Sequence, residues 1–334
     1  MRTYLALSCL VWTLFVCLPI ASQAASGKGI GKLVLKGVDL VVSQSRPWKK
    51  VASFAFQLQQ LDLNKLAQSN FDLIVIDYSA DGSAAKRFGQ AQIQALQKGP
   101  RGRRLVLCYL SIGEAEEYRF YWKKGFKPGN PLWLDQLNRA WKGNYKVRYW
   151  DPAWQRILFG SPEAYLDQII AAGFDGVYLD IVDGYEFYES QGDKRARPRM
   201  LELVKKLAIY ARQKGGADFG IFPQNGEELL IDPGYLKVVT GVGKEETYFG
   251  YEGDGKASPT ATTLYVESLL SRAVKAGKLV LTIDYTDKKT DIRLAHSRAH
   301  RQGYREYIAP RALDGLRIYP GIQPRLDDAA DTPK

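Results

Sequence analysis

The segment GFDGVYLDIVD, residues 173–183, shows the pattern that decides the fold. Residues 161–172 before it have the apolar spacing of an amphipathic helix, and Gly173 stands at the position of a C-capping glycine. Residues 176–180 then form a short apolar run that ends on Asp180, typical of a parallel strand buried on both faces. The segment thus predicts a helix, a buried strand and a carboxylate at the carboxyl end of that strand.

The same alternation of helix and strand recurs along the rest of the chain. The apolar runs predict eight strands, at residues 53–58, 72–78, 104–110, 176–180, 219–223, 238–242, 279–284 and 304–308. The amphipathic segments predict helices at residues 62–69, 89–98, 161–172, 199–214, 262–276 and 290–302, with further C-caps at Gly215, Gly277 and Gly303. An apolar run at residues 145–150 predicts an extra short strand in the loop after the third strand.

Eight strands that alternate with helices predict an α/β fold, a (β/α)8 TIM barrel formed by a single domain. A doubly wound open sheet is the alternative arrangement. Dinucleotide-binding sheets of that kind hold phosphate groups on a glycine-rich loop after the first strand. Residues 57–61 read QLQQL and contain no glycine, so the sequence favours the barrel.

Both termini are expected to lie outside this domain. Arg2 precedes an apolar stretch at residues 5–20, and the small-x-small site SQA follows, so residues 1–24 are predicted to be a signal peptide. Residues 25–322 would then form the barrel, and residues 323–334, rich in Asp and Pro, are predicted to be a disordered tail. The protein is therefore expected to be secreted or periplasmic, with no membrane span after signal cleavage.

The charge of the chain bears on its partners. The sequence has 334 residues with 47 Lys and Arg against 36 Asp and Glu, a formal charge of +11, which by itself would suit nucleic acid. The basic residues are, however, spread over predicted helix faces, and the chain is expected to be exported. No nucleic-acid partner is therefore predicted, and adhesion to anionic envelope polymers is the alternative use of this charge.

Cysteine and histidine are scarce. After signal cleavage only Cys108 remains, inside an apolar run where we expect a small buried hydrophobe. His296 and His300 lie four residues apart on a predicted helix without a third zinc ligand, so we expect them on a solvated helix face. Catalysis is therefore expected to depend on carboxylates, and neither a cofactor nor a metal is predicted.

Acidic and amide side chains follow most of the predicted strands: Gln57, Asp77, Glu114, Asp180 with Asp183, Asn225, Glu245 with Glu246, and Asp284. In a (β/α)8 barrel the carboxyl ends of the strands build the active site. Each acid alone would serve equally as a helix N-cap or a salt-bridge partner, but unpaired buried carboxylates are costly, so a ring of them predicts a use. Paired carboxylates with many aromatic residues suit polysaccharide cleavage. A site of hard oxygen ligands for Mg²⁺ or Ca²⁺ is the competing chemistry.

Four motifs at these strand ends resemble the endo-α-1,4-polygalactosaminidases of glycoside hydrolase family 114. The motifs are YLSIGEAEEYR at residues 109–119, GFDGVYLDIVDGY at residues 173–185, PQNG at residues 223–226 and DYTD at residues 284–287. The resemblance spans residues 53–310 and is strongest to the small secreted bacterial and archaeal branch of the family. It implies a (β/α)8 barrel that hydrolyses a galactosamine-rich polysaccharide.

The resemblance also implies a catalytic pair, an Asp from the fourth strand and a Glu from the sixth. Asp180 matches the first and Glu245 is aligned with the second, with Glu246 as the alternative; we interpret them as nucleophile and acid/base of a retaining hydrolase. Substrate-binding side chains are expected at Asp77, Tyr109, Glu114, Tyr178, Asp183, Tyr185, Asn225, Asp284 and Tyr285. The alternative function is a non-catalytic glycan-binding barrel at the cell envelope.

Overall fold

A computed structural model of the chain describes residues 46–324. Eight parallel strands alternate with helices along this part of the chain. They are β1 (Phe54–Phe56), β2 (Leu73–Ile76), β3 (Leu105–Ser111), β4 (Gly176–Asp180), β5 (Gly220–Pro223), β6 (Gly241–Glu245), β7 (Leu279–Asp284) and β8 (Arg305–Ile308). Strands β1 to β5 form one sheet and β6 to β8 a second, each in chain order, and every neighbouring pair is parallel.

The two sheets approach each other at both of their edges. Between β5 and β6, a single parallel bridge joins Gln224 to Gly243. Between β8 and β1, the rings of Tyr307 and Phe54 lie 6.0 Å apart. No ladder joins β1 to β8 within residues 46–324. The predicted parallel α/β fold is thus confirmed, while closure of the eight strands into a barrel stays a prediction.

The helices lie between these strands: α1 (Arg46–Lys49), α2 (Leu63–Gln68), α3 (Gln90–Gln97), α4 (Pro152–Leu158), α5 (Tyr165–Ala171), α6 (Gly184–Glu189), α7 (Ala196–Gly215), α8 (Pro233–Val238), α9 (Thr260–Lys275) and α10 (Lys289–Arg301). Single 3-10 turns occur at Ala84–Lys86 and Glu227–Ile231. Gly173, Gly277 and Gly303 have positive φ angles just beyond their helices, as C-caps do. Gly215 is instead the last residue of α7, and Gly216 takes the cap with φ 100°.

The sixth strand begins three residues later than the sequence predicts. Asp232 accepts a hydrogen bond from the Tyr235 amide and Pro233 starts α8, so the apolar pair Val238–Val239 closes a helix instead of opening a strand. Strand β6 itself reads GVGKE and lacks the apolar run by which a buried strand is recognised. Its glycines are needed because a Cβ on Gly243 would overlap the Tyr178 hydroxyl.

Two insertions flank the carboxyl ends of the strands. After β3, an antiparallel sheet is formed by Glu114–Glu116, Leu134–Leu137 and Asn144–Val147, which includes the extra strand that the sequence predicts. After β6, Phe249–Gly250 pairs with Gly253–Ala257 in a hairpin. A third short pair, Lys98–Gly99 with Gly102–Arg103, precedes β3.

The structure bears on three further expectations. Cys108 is buried and unpaired, as predicted. Gln323, placed by the sequence prediction in the tail, is buried and exchanges hydrogen bonds with the Ile308 backbone. Within residues 46–324, no helix is both long and apolar enough to cross a membrane. The predicted signal peptide, residues 1–24, and residues 325–334 of the predicted tail lie outside the described residues.

Candidate active site

Asp180 and Glu245 meet at the carboxyl ends of the parallel strands. They end β4 and β6, and Gln224 follows β5 between them. The Gln224 side-chain nitrogen donates to Asp180 Oδ1 at 3.1 Å and to Glu245 Oε2 at 2.6 Å. These two oxygens therefore lie no farther apart than the sum of the two distances, which is less than about 6.5 Å. One amide thus bridges two carboxyl groups contributed by strands 65 positions apart in the sequence numbering.

The backbone takes a left-handed conformation directly after each of these three residues. Ile181, Asn225 and Glu246 have φ angles of 56°, 59° and 60°. This left-handed region is rare for residues other than glycine, and it costs on the order of 1–3 kcal/mol at each position. The extended conformation of the chain thus ends at Asp180, Gln224 and Glu245, and the loops begin at the residues that follow them.

Asp180 is half-buried at this mouth. Tyr109 on β3 donates a hydrogen bond from its hydroxyl to Asp180 Oδ2 at 2.6 Å. Burial and then the nearby Glu245 carboxylate raise the pKa of Asp180 to about 8, against the lowering effect of the Tyr109 bond. Two carboxyl groups that share a site disfavour double ionisation, which is why the Glu245 charge adds to the effect of burial on Asp180.

Glu245 is held from three sides. The Tyr285 hydroxyl donates to its Oε1, and the side-chain amides of Gln224 and Asn225 donate to its Oε2, the latter at 3.3 Å. Burial raises the pKa of Glu245, and these hydrogen bonds oppose that effect. Glu246 points elsewhere and pairs with Arg311 at 2.5 Å. Of the two adjacent glutamates, Glu245 is therefore the one that meets Asp180.

Further predicted residues lie around this pair. Tyr109, Asn225 and Tyr285 contact it directly through the hydrogen bonds above. Tyr178 lies beneath it, fully buried, with its hydroxyl against Gly243 and its ring 5.1 Å from Phe56. Asp183 is half-buried after β4, and burial together with the Glu186 carboxylate raises its pKa to about 7.

Two predicted acids are bound in the loops rather than at the pair. Asp77 after β2 forms a buried ion pair with Arg119 at 2.7 Å, and Arg119 also binds Glu116 at 2.6 Å. Glu114, fully buried, pairs with Lys146 at 2.6 Å and so joins two strands of the antiparallel insertion. Their contacts anchor the insertion that follows β3 beside the mouth.

Two other predicted binding residues, Asp284 and Tyr185, are buried in supporting positions near the site. Asp284 is fully buried and accepts hydrogen bonds from the Tyr248 and Phe249 amides at 2.7 and 2.8 Å, which anchors the loop after β6. Tyr185 on α6 is buried under the Arg197 guanidinium, 4.7 Å from its ring centre. Neither contacts the carboxyl pair directly.

The structure adds two residues that the sequence does not single out. Gln224 is the bridge between the acids, yet in the sequence it stands among several amides, and the pattern predicts the neighbouring Asn225 as the binding residue. Arg311 reaches the site from the loop after β8, where no pattern marks it. In the strand register, Pro223 of β5 pairs with Leu179 of β4, so the next residues, Gln224 and Asp180, lie side by side. This register is the signal that favours Gln224.

This arrangement brings together two carboxyl groups whose pKa values are both raised by burial. A carboxylate that is anionic can act as a nucleophile, while a protonated neighbour can donate to a leaving oxygen. Within residues 46–324, no three His, Cys, Asp or Glu side chains are grouped so as to hold a metal ion.

Comparison with known proteins identifies the family. The model of glycoside-hydrolase family GH114 matches residues 38–324. An uncharacterized protein of Deinococcus radiodurans is 37% identical over 321 residues, covering 93% of this chain and 97% of its own length. An uncharacterized protein of Methanocaldococcus jannaschii is also 37% identical, over 281 residues, covering 80% of this chain and 78% of its own.

Solved structures show a similar fold. The glycoside hydrolase domain of PelA from Pseudomonas aeruginosa aligns with a TM-score of 0.57 at 19% identity, covering 79% of this chain and 97% of that domain. A glutamate-to-alanine variant of the same domain aligns with a TM-score of 0.56 at 17% identity and the same coverage. At this level of identity the likeness concerns the fold.

Proposed function

The chain belongs to glycoside-hydrolase family GH114, and on this premise we propose that it hydrolyses a galactosamine-type polysaccharide by a retaining mechanism. The observation that carries the proposal is the Gln224 amide between Asp180 and Glu245. Retaining enzymes hold their two carboxyl groups about 5–5.5 Å apart, whereas inverting enzymes leave about 6.5–9.5 Å for a water molecule. A single amide nitrogen that contacts both acids supports the shorter spacing.

Asp180 acts as the nucleophile and Glu245 as the acid/base. An Asp180 oxygen attacks the anomeric carbon of the sugar. At the same time the bond between the anomeric carbon and the glycosidic oxygen breaks, and Glu245 gives its proton to the glycosidic oxygen. Glu245, now a carboxylate, then takes a proton from water. The water oxygen attacks the same carbon and displaces Asp180, which restores both groups and the anomeric configuration.

The Tyr109 hydrogen bond and the burial of Glu245 support these roles. The Tyr109 hydroxyl can donate only to an oxygen with a free lone pair, and it favours the anionic form of Asp180. Burial favours the protonated form of Glu245, which the first step requires. The productive state requires the proton on Glu245 and the negative charge on Asp180.

The proposal also includes the closed barrel, sugar binding by Asp183 and export of the protein. The contacts between β8 and β1 and the bridge between β5 and β6 support closure into a (β/α)8 barrel. Asp183, which is half-buried beside the pair, is proposed to bind the sugar. The sequence of residues 1–24 supports export, so that the polysaccharide is met outside the cytoplasm.

The decisive experiment is a panel of galactosamine and N-acetylgalactosamine polymers incubated with the purified protein. We expect oligosaccharides to be released from at least one polymer by the wild type and not by Asp180→Asn. Proton NMR during the first turnovers should show that the new reducing end keeps the anomeric configuration of the substrate. Binding of a polymer without any release would favour a non-catalytic glycan-binding barrel, and an inverted anomer would overturn the retaining mechanism.

A further inference from the structure

We propose that Arg311 is a positioning residue for Glu245: it fixes the orientation of that carboxyl group through Tyr285 and its charge environment through Glu246. The inference rests on the acid/base role given to Glu245 above. Arg311 follows β8 and is separated from Glu245 by 66 positions in the chain. It touches neither acid of the pair, so its effect must pass through its neighbours.

Arg311 makes three hydrogen bonds to the loop after β6. Nη1 binds Glu246 Oε1 at 2.5 Å, Nε binds Asp254 Oδ1 at 2.7 Å, and Nη2 donates to the Gly250 carbonyl at 2.9 Å. The planar guanidinium presents donors in a fixed fork, which lets one side chain hold all three acceptors at once. Arg311 therefore fastens both strands of the hairpin to the loop after β8.

The first route runs through Tyr285. The Arg311 guanidinium carbon lies 4.3 Å from the centre of the Tyr285 ring, and the Tyr285 hydroxyl donates to Glu245. Gly250 packs into the same place, where a Cβ would come within 3.1 Å of the ring. The ring is thus confined between the cation and the hairpin, which fixes the direction of its hydroxyl toward Glu245 Oε1.

The second route runs through Glu246. This residue directly follows Glu245 and has a φ of 60°, a strained conformation that the Arg311 ion pair helps to hold. The Glu246 carboxylate is among the charges that raise the pKa of Glu245. Arg311 partly neutralises that charge, so its loss would leave the acid/base beside an uncompensated anion.

Other titratable groups also face Glu245 and must stay constant in any test. They are Asp180 and Tyr178 on β4, Asp183 after it, Tyr285 after β7, and Lys244 on the same strand as Glu245. Of these, only Tyr285 is touched by Arg311, so a change at Arg311 acts on Glu245 through the two routes above.

The test combines four variants: Arg311→Gln, Arg311→Lys, Glu246→Gln and the double Gln variant. Arg317→Gln is the matched control, because Arg317 lies in the same C-terminal segment and pairs with Asp314 at 3.4 Å. Two quantities are measured for each protein. The basic limb of the pH profile of kcat/KM reports the group that must be protonated in the free enzyme. Carbon-13 NMR of the Glu245 carboxyl reports its titration without any turnover.

We expect Arg311→Gln to move both the basic limb and the NMR titration upward by about one pH unit, and Glu246→Gln to move them downward by a similar amount. The double variant should return close to the wild type because both charges are gone. Arg311→Lys keeps the charge but not the fork, so the limb should stay in place while kcat falls by about tenfold. Arg317→Gln should change nothing.

The outcomes separate this inference from the proposed function. If Arg311→Gln folds and its Glu245 titration coincides with that of the wild type, the inference is wrong, whatever the activity. If the titration moves as expected but no polymer is cleaved by the wild type, the inference holds for the charge environment and the proposed function fails. Should Arg311→Gln not fold, as judged by circular dichroism, an unchanged titration in Glu246→Gln together with a wild-type kcat in Arg311→Lys would overturn it.

Discussion

The Tyr109 hydroxyl lies 2.6 Å from Asp180 Oδ2 and donates a hydrogen bond to it. The two residues sit on neighbouring strands, and the register places Tyr109 opposite Tyr178 and Ser111 opposite Asp180. Since side chains alternate along a strand, Tyr109 projects on the same side as Ser111, toward the neighbouring Asp180. The hydrogen bond stabilises the anion in a place where burial and Glu245 disfavour it.

Replacing Tyr109 by Phe should weaken the nucleophile. The change removes the hydroxyl and keeps the ring, so the pKa of Asp180 should rise further above about 8 and the acidic limb of kcat/KM should move to higher pH. We expect a loss of about 10-fold to 100-fold at neutral pH, because a hydrogen bond to a charged group contributes about 1.5–3 kcal/mol. A pH profile with the wild-type acidic limb would show that Tyr109 does not act on Asp180.

Asp180→Asn should abolish hydrolysis while the protein stays folded. The amide keeps the shape of the side chain but cannot form the glycosyl-enzyme, so we expect a loss of at least about 10³-fold. Asp314→Asn, at an ion-paired surface position, is the matched control and should retain activity. Near-normal turnover by folded Asp180→Asn would remove Asp180 from the mechanism.

The sequence predicts the parts of this site that depend on strand patterns. Parallel strands buried on both faces are visible as apolar runs, so Asp180 could be placed at a strand end. The family resemblance predicts Glu245 rather than Glu246 as the second acid. The limits of the sixth strand could not be predicted from the sequence. Its glycines allow Tyr178 to pack closely against it, and they leave no apolar run.

Contacts between distant segments could not be predicted in the same way. Asp77 directly follows β2 and Asp284 ends β7, but neither carboxylate is free. Asp77 pairs with Arg119, and Asp284 accepts hydrogen bonds from the loop amides after β6. The contacts of Arg311 could not be predicted, because they depend on where the loop after β8 lies relative to the hairpin after β6. His296, expected on a solvated helix face, is half-buried with Nδ1 3.6 Å from Glu306, a partner fixed only by packing of α10 on β8.

Gln224→Met should lower activity without removing either acid. Methionine has a similar size and no donor, so both charge-assisted hydrogen bonds to the pair are lost and the two carboxyl groups repel each other without an intervening amide. We expect kcat to fall by about 10-fold to 100-fold with a smaller change in KM. Gln213→Met, on the exposed side of α7, is the matched control. Wild-type kcat in Gln224→Met would contradict the bridging role.

The buried carboxyl groups Asp284 and Glu306 should make the protein less stable as pH rises. Burial raises the pKa of Asp284 to about 7, and burial with the Asp284 charge raises that of Glu306. Both bind protons more tightly in the folded state, so their contribution is present below pH 4 and is lost as pH rises through the folded-state values. Urea unfolding of Glu306→Gln should show a flatter pH dependence and a free energy of unfolding higher than the wild type at pH 8 by about 1 kcal/mol or more. Glu202→Gln, an exposed control, should follow the wild-type curve.

Glu245→Gln should separate the two steps of the reaction. Without a proton donor, natural polysaccharide should not be turned over, because its leaving oxygen must be protonated. A substrate whose leaving group departs without protonation needs no such donor, so the glycosyl-enzyme should still form and accumulate, since the second step also lacks its base. Mass spectrometry of the intact protein would detect the added sugar, and Asp180→Asn, which has no nucleophile, should show none. If Glu246→Gln accumulated the intermediate and Glu245→Gln turned over normally, the acid/base would be Glu246 and its ion pair with Arg311 would have to open during the reaction.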